Sequence, residues 1–239
     1  MENPQIMKVL QDAQLAHEAG DFVNALRFYE QFFDHALDDD PYALYGVRLS
    51  YCLDGWGRLA KEFVGAKNQL EHKQAAALDE YQRHKKPELF HDYYSISRVL
   101  GDTKAAIEQF LVINRASQKS ASRLIKFVWA DLIQEEYWEI CNQFLEDPVQ
   151  KLDESFSVFD EASRLKEMDP SFATEAFEQH ILSELTHSVN ELLLVLRHNN
   201  RSEDVEMIQR KFYEISHAKD HPGLDKLLQA KGAFLFSGH

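Results

Sequence analysis

Two short elements pair a glutamate with a histidine three residues later: Glu88-Leu89-Phe90-His91 and Glu184-Leu185-Thr186-His187. On a helix each pair shares one face. A helical bundle that carries two such pairs, plus one further glutamate from each of two other helices, can hold two iron or manganese ions. Glu62 and Glu154 each lie about one helix earlier and stand where those further ligands would be sought. A di-metal helical-bundle enzyme using Glu88/His91 and Glu184/His187 is therefore one reading of the chain. Against it, 40 acidic residues and 11 histidines generate such pairs by coincidence, and Glu88 follows Pro87 at a helix start. The expectation is that both histidines are surface or capping residues, with no metal and no cofactor.

Other chemistry-bearing patterns are missing. Cys52 and Cys141 lie in unrelated apolar-periodic segments rather than in a ligand-like pair, so each is expected to serve as a small hydrophobe, without a disulfide. The nine glycines are scattered singly, which leaves no phosphate-cradling loop, and neither a Gly-x-Ser-x-Gly elbow nor a His-Glu-x-x-His helix occurs. Catalysis is not expected. The net charge is −14: residues 1–120 carry 14 basic and 18 acidic side chains, residues 121–239 carry 12 and 22. Such a surface disfavours nucleic acid and anionic membranes, which need a basic face to replace their counterions. It suits solubility, or the attraction of a basic peptide or protein. Met1-Glu2-Asn3-Pro4-Gln5 lacks the features of a secretory signal, and the longest apolar run, Leu192 to Leu196, is far short of the roughly 20 residues that span a bilayer. A cytoplasmic location is expected.

Apolar residues recur at three- and four-residue steps through most of the chain, which predicts an all-α fold. Asp40-Pro41, Asp147-Pro148 and Asp169-Pro170 each pair a capping carboxylate with a proline suited to the first helical turn. These marks predict helices near 4–19, 22–38, 42–54, 58–84, 88–99, 103–116, 119–146, 149–167, 171–198, 202–218 and 223–231. From Phe127 to Leu145 one apolar stripe includes Trp129, Leu132, Ile133, Tyr137 and Cys141. Trp129 and Trp138 are expected in the core rather than on a ligand platform. Between Phe177 and Leu196 the apolar residues nearly encircle the last two turns, which read as the end of a central strut.

Three segments repeat one phrase, Gly20-Asp21-Phe22-Val23-Asn24-Ala25, Gly55-Trp56-Gly57-Arg58-Leu59-Ala60 and Gly101-Asp102-Thr103-Lys104-Ala105-Ala106, with an alanine five residues after a glycine. A glycine that closes one helix and an alanine that admits the next are the parts of a helix-turn-helix hinge. With Ala13, Ala16, Leu26, Tyr29, Tyr51, Val64, Tyr94 and Phe110 around them, residues 8–116 resemble the tetratricopeptide repeat family. That resemblance implies antiparallel helix pairs stacked as an α-solenoid. The chain departs from the pattern at Phe32 and Arg48, where the family has small residues, and Arg48 implies looser packing. A tetratricopeptide-like region over 1–118 and a further helical region over 119–239 packed on it are expected.

The resemblance also implies a concave groove lined by the first helix of each pair. Mapped here, that face holds Gln14, His17, Tyr45, Leu49, Cys52, His91, Ser95 and Arg98. Leu10, Tyr45, Leu49 and His91 stand where a clamp for a chaperone's terminal carboxylate would need asparagines and lysines, so that role is disfavoured. An alternative is that these residues cover one another or the second half. The tail Gly232 to His239 carries Phe234, Leu235 and Phe236, which are expected to dock on the last helices or on a second subunit, making a homo-oligomer. The function expected is a non-catalytic protein- or peptide-binding scaffold, with a peptide-sensing regulator as a variant of it.

Overall fold

A computed structural model describes residues 4–219, 221, 223 and 224, and every regular element among them is helical. The tail at 232–239 and all but the start of the helix expected at 223–231 lie outside the described residues. No described helix is long and apolar enough to cross a membrane. The chain divides into two compact units, Met1–Val128 and Trp129–His239, and the sequence reading placed its boundary at residues 118/119.

In the first unit, α1 (Pro4–Glu18) and α2 (Phe22–His35) fold back on each other. Gly20 closes α1 with φ +75°. The Gly20 amide donates to the His17 carbonyl at 3.0 Å and the Asp21 amide to that of Ala16 at 2.9 Å, so two orphan carbonyls of the last turn are satisfied. Asp21 then caps α2 by accepting from the Asn24 amide. Gly101 repeats the device at φ +76° between α6 (Pro87–Leu100) and α7 (Thr103–Ala116). Ala25 and Ala106, five residues on, are fully buried. A methyl is all the space that these helix approaches leave.

The middle phrase behaves differently. Asp40 accepts from the Tyr42 and Ala43 amides and so makes a turn, not a helix start. The helical path begins with α3 (Tyr45–Val47), widens into a π turn (Arg48–Cys52) and continues as α4 (Leu53–Glu62). Gly55 and Gly57 are therefore inside a helix, and the expected hinge at 55–57 is corrected to Phe63. Phe63 is extended (φ −131°, ψ 111°) and separates α4 from α5 (Val64–His84). Both glycines are buried against neighbouring helices. A Cβ on Gly55 would lie 2.6 Å from the Tyr29 hydroxyl of α2, and one on Gly57 would collide with Val99 of α6. Here glycine supplies close approach, not a turn. Trp56 between them is fully buried, donates its indole N–H to the Ala66 carbonyl at 3.1 Å, and meets Phe33 edge-on. Around it Leu10, Tyr29, Phe32, Leu53, Leu59 and Leu70 form the core of the unit.

The helix expected over 119–146 is three short ones: α8 (Gln118–Ala121), α9 (Ile125–Gln134) and α10 (Trp138–Asn142). Glu136 adopts φ +62°, and the bonds from the Glu136 amide to Ile133 and from the Tyr137 amide to Leu132 end α9. The single stripe expected from Phe127 to Leu145 is thus split. Leu132, Ile133 and Cys141 are buried, while Tyr137 sits exposed at the break.

Residues after α10 pack around α12 (Glu175–His198). Asp147 accepts from the Val149 and Gln150 amides and opens α11 (Pro148–Met168). The similar Asp169-Pro170 pair opens only one 3₁₀ turn, and α12 starts instead at the cap Thr174. Ile181, Leu185, Val189, Leu192, Val195 and Leu196 of α12 are buried, against α11 and α13 (Ser202–Ala218). Phe156 of α11 meets Phe212 of α13 with ring centroids 5.5 Å apart. Trp138 stacks on His198 at 4.3 Å and its carbonyl accepts from Asn199.

Candidate binding face on the first unit

The π turn carries the most constrained polar side chain of the first unit. Arg48 is 8% exposed and makes three hydrogen bonds: Nε to the Phe33 carbonyl at 2.7 Å, and Nη1 and Nη2 to the two Asp92 oxygens at 2.6 and 2.9 Å. Its guanidinium also lies 3.7 Å from the centroid of the Phe33 ring. A planar fork that meets a carboxylate at two points while stacking on an aromatic face is chemistry that only arginine supplies. Far from loosening the packing, Arg48 ties the π turn to both α2 and α6.

One turn away, Tyr45 and His91 meet. The Tyr45 Oη lies 2.9 Å from His91 Nδ1, and the His91 ring stacks on Phe127 at 4.1 Å with planes 13° apart. Burial pushes the Tyr45 phenol up to about 12 and lowers His91 to about 4, with the Asp92 charge opposing the latter shift only in part. Those shifts keep the phenol protonated and the imidazole neutral, and which of the two donates follows the tautomer of His91. The unit therefore holds two parallel links between the same helices, Tyr45 to His91 and Arg48 to Asp92, with each residue of one pair next to or three from its counterpart.

The other residues expected in the groove are scattered in their surroundings. Gln14 is half-buried on α1. His17 points Nε2 at Glu62 Oε1, 3.3 Å away, and turns its edge to Phe22. Leu49 is half-buried in the π turn and packs on the core. Ser95 is half-buried on α6, while Arg98 is exposed, with its guanidinium 6.0 Å from the Tyr94 ring centroid. Cys52 is a correction. It is fully buried, its thiol donates to the Tyr29 carbonyl at 3.6 Å, and burial raises it to about 12, so it lines no accessible surface.

Sequence reasoning missed Asp92 and misjudged Arg48. The signal available was an arginine at a position where the repeat pattern wants a small residue, which calls for a buried acceptor somewhere in the fold.

The two Glu-x-x-His elements fall in different units, and neither histidine addresses its glutamate. His91 is held by Tyr45 and Phe127, and His187 Nε2 lies 3.1 Å from Glu191, one turn later in α12. Glu191 is 9% exposed, and its proton affinity is raised mainly by that burial. Among the described residues no three histidines, cysteines or carboxylates converge in a way that could hold a metal ion.

No protein-family model, curated protein or solved structure matches the chain.

Proposed function

We propose that the chain is a non-catalytic scaffold of tetratricopeptide type, which takes a protein or peptide segment on the face of the first unit that Tyr45, Leu49, His91, Ser95 and Arg98 carry. One observation carries the reading: the Tyr45–His91 and Arg48–Asp92 links fix the helical path from residue 45 to 62 against α6. Helices so fixed present their intervening side chains as one rigid surface, which lowers the ordering cost of binding. The Gly20 and Gly101 closures with their buried Ala25 and Ala106 support the repeat assignment. The net charge of −14 suits a basic partner.

Selection of a random peptide library on the immobilised chain tests the proposal. Peptides recovered should bind the wild-type chain and lose about tenfold in affinity with Ser95→Arg or Arg98→Glu, while the far-ultraviolet circular dichroism stays unchanged. Peptides that bind wild type and both variants equally would place recognition elsewhere. Elemental analysis of protein purified without chelator decides the rival: near-stoichiometric iron or manganese, lost with His91→Ala and His187→Ala, would restore the enzyme reading.

A further inference from the structure

The second unit contains a cavity of about 430 Å³ between α11 and α12, within the range of sites that take ligands. Val158, Ala162 and Leu165 wall it on one side, and Phe177, Ile181 and Leu185 on the other. These are steps of three and four, the spacing of neighbours on one helix face, so the cavity is a trough that follows the helix pair. From Lys151 to Leu165 it runs about 21 Å at the rise of an α-helix. At one end Ser155 and Ser188 bond to each other at 2.7 Å, so those hydroxyls are satisfied without a ligand. At the other end the apolar surface continues outward. Near the serine end Val158 is 64% exposed, and towards the far end Leu165 is 39% exposed, with Met168 and Phe172 beyond it 79% and 37%. Large apolar side chains left exposed along and beyond a trough mark an interaction surface.

Charge selects the occupant. Glu154 and Glu184 stand on the trough, and of the two potential cations there, Lys151 lies 3.5 Å from Glu154 and His180 is exposed. Residues 129–239 carry 22 acidic and 10 basic side chains. A groove between two helices, four turns long, accepts a third helix whose own backbone bonds are already made. We propose that the α11/α12 trough binds an amphipathic helix of a partner protein, with apolar side chains at i, i+4 and i+7 in the trough and lysine or arginine along its flanks. This site is independent of the Tyr45/His91 face.

The test uses the full chain and a fluorescent peptide of about 16 residues composed of leucine and lysine, its leucines at helical i, i+4, i+7 spacing. Saturable binding is expected, weakened about tenfold by Val158→Asn and by the cavity-filling Ala162→Leu, less by Glu184→Lys, and unchanged by Arg98→Glu. Val158 is exposed, so its variant keeps the fold even if Ala162→Leu does not. Equal binding of a shuffled peptide, or no effect of Val158→Asn, overturns the proposal. So does a tenfold tighter complex after trimming the chain beyond Leu224, which would identify its own last residues as the occupant. A dimer by light scattering that Val158→Asn converts to monomer would assign the trough to a second copy and equally overturn it.

Discussion

Arg48 and Asp92, 44 residues apart in the chain, close a two-point ion pair in which the side chains are only 9% and 15% exposed. In so dry a setting the pair's net worth is small, but the loss of either partner strands the other charge without water.

Arg48→Met should therefore destabilise the first unit by roughly 3 kcal/mol, read from chemical denaturation midpoints. Arg48→Lys should recover little, because an ammonium cannot meet both Asp92 oxygens and the Phe33 carbonyl at once. The double variant Arg48→Met with Asp92→Leu should lose less than the sum of the single changes, a non-additivity that a double-mutant cycle measures.

His91 makes the unit's stability depend on pH. Its proton affinity falls from 6.5 to about 4 on folding, chiefly through burial, so the unfolded chain binds the extra proton first. The contribution is complete above pH 6.5 and is lost as pH falls towards 4. Allowing for solvent at the partly exposed ring, the loss should be about 2 kcal/mol. His91→Phe should flatten the slope of unfolding free energy against pH over that interval, and an unaltered slope would show that other groups set it.

The glycines should separate into two classes on replacement by alanine. Gly20→Ala and Gly101→Ala meet open space but require a left-handed backbone, and each should cost about 1 kcal/mol. Gly55→Ala and Gly57→Ala lie in a helix, where alanine ordinarily helps, yet each forces a methyl into a packed neighbour and should cost about 1–3 kcal/mol. Val99→Ala should rescue Gly57→Ala in part and leave Gly55→Ala unimproved. Thermal unfolding of the single variants and of the two double variants with Val99→Ala decides this.

That division also measures what was legible in the sequence. The helical character followed from apolar spacing and most helix bounds from capping residues and prolines, and Gly20 and Gly101 were placed as turns. Gly55 shares with those two the alanine five residues on, but that spacing alone does not tell a glycine chosen for positive φ from one chosen for close approach. Likewise Asp169-Pro170 carries the same letters as Asp147-Pro148, and only the tertiary setting makes one a helix start and the other a single turn. Tyr45 and His91 were both named for the face. Their hydrogen bond, and Arg48's partner, depend on contacts across more than 40 residues that local periodicity does not encode. The α11/α12 trough was hidden for a similar reason: Val158, Leu165 and Phe177 look like any core positions until the packing leaves them uncovered.

Cys52 belongs to the first unit and Cys141 to the second, both are fully buried, and burial holds each thiol near 12. A thiolate, the form that alkylating reagents attack, is therefore suppressed in the native protein and released when its own unit opens. The native chain thus contains two internal clocks, one per unit. Time-resolved labelling followed by peptide mass mapping would report the opening frequency of each half separately, without an introduced probe.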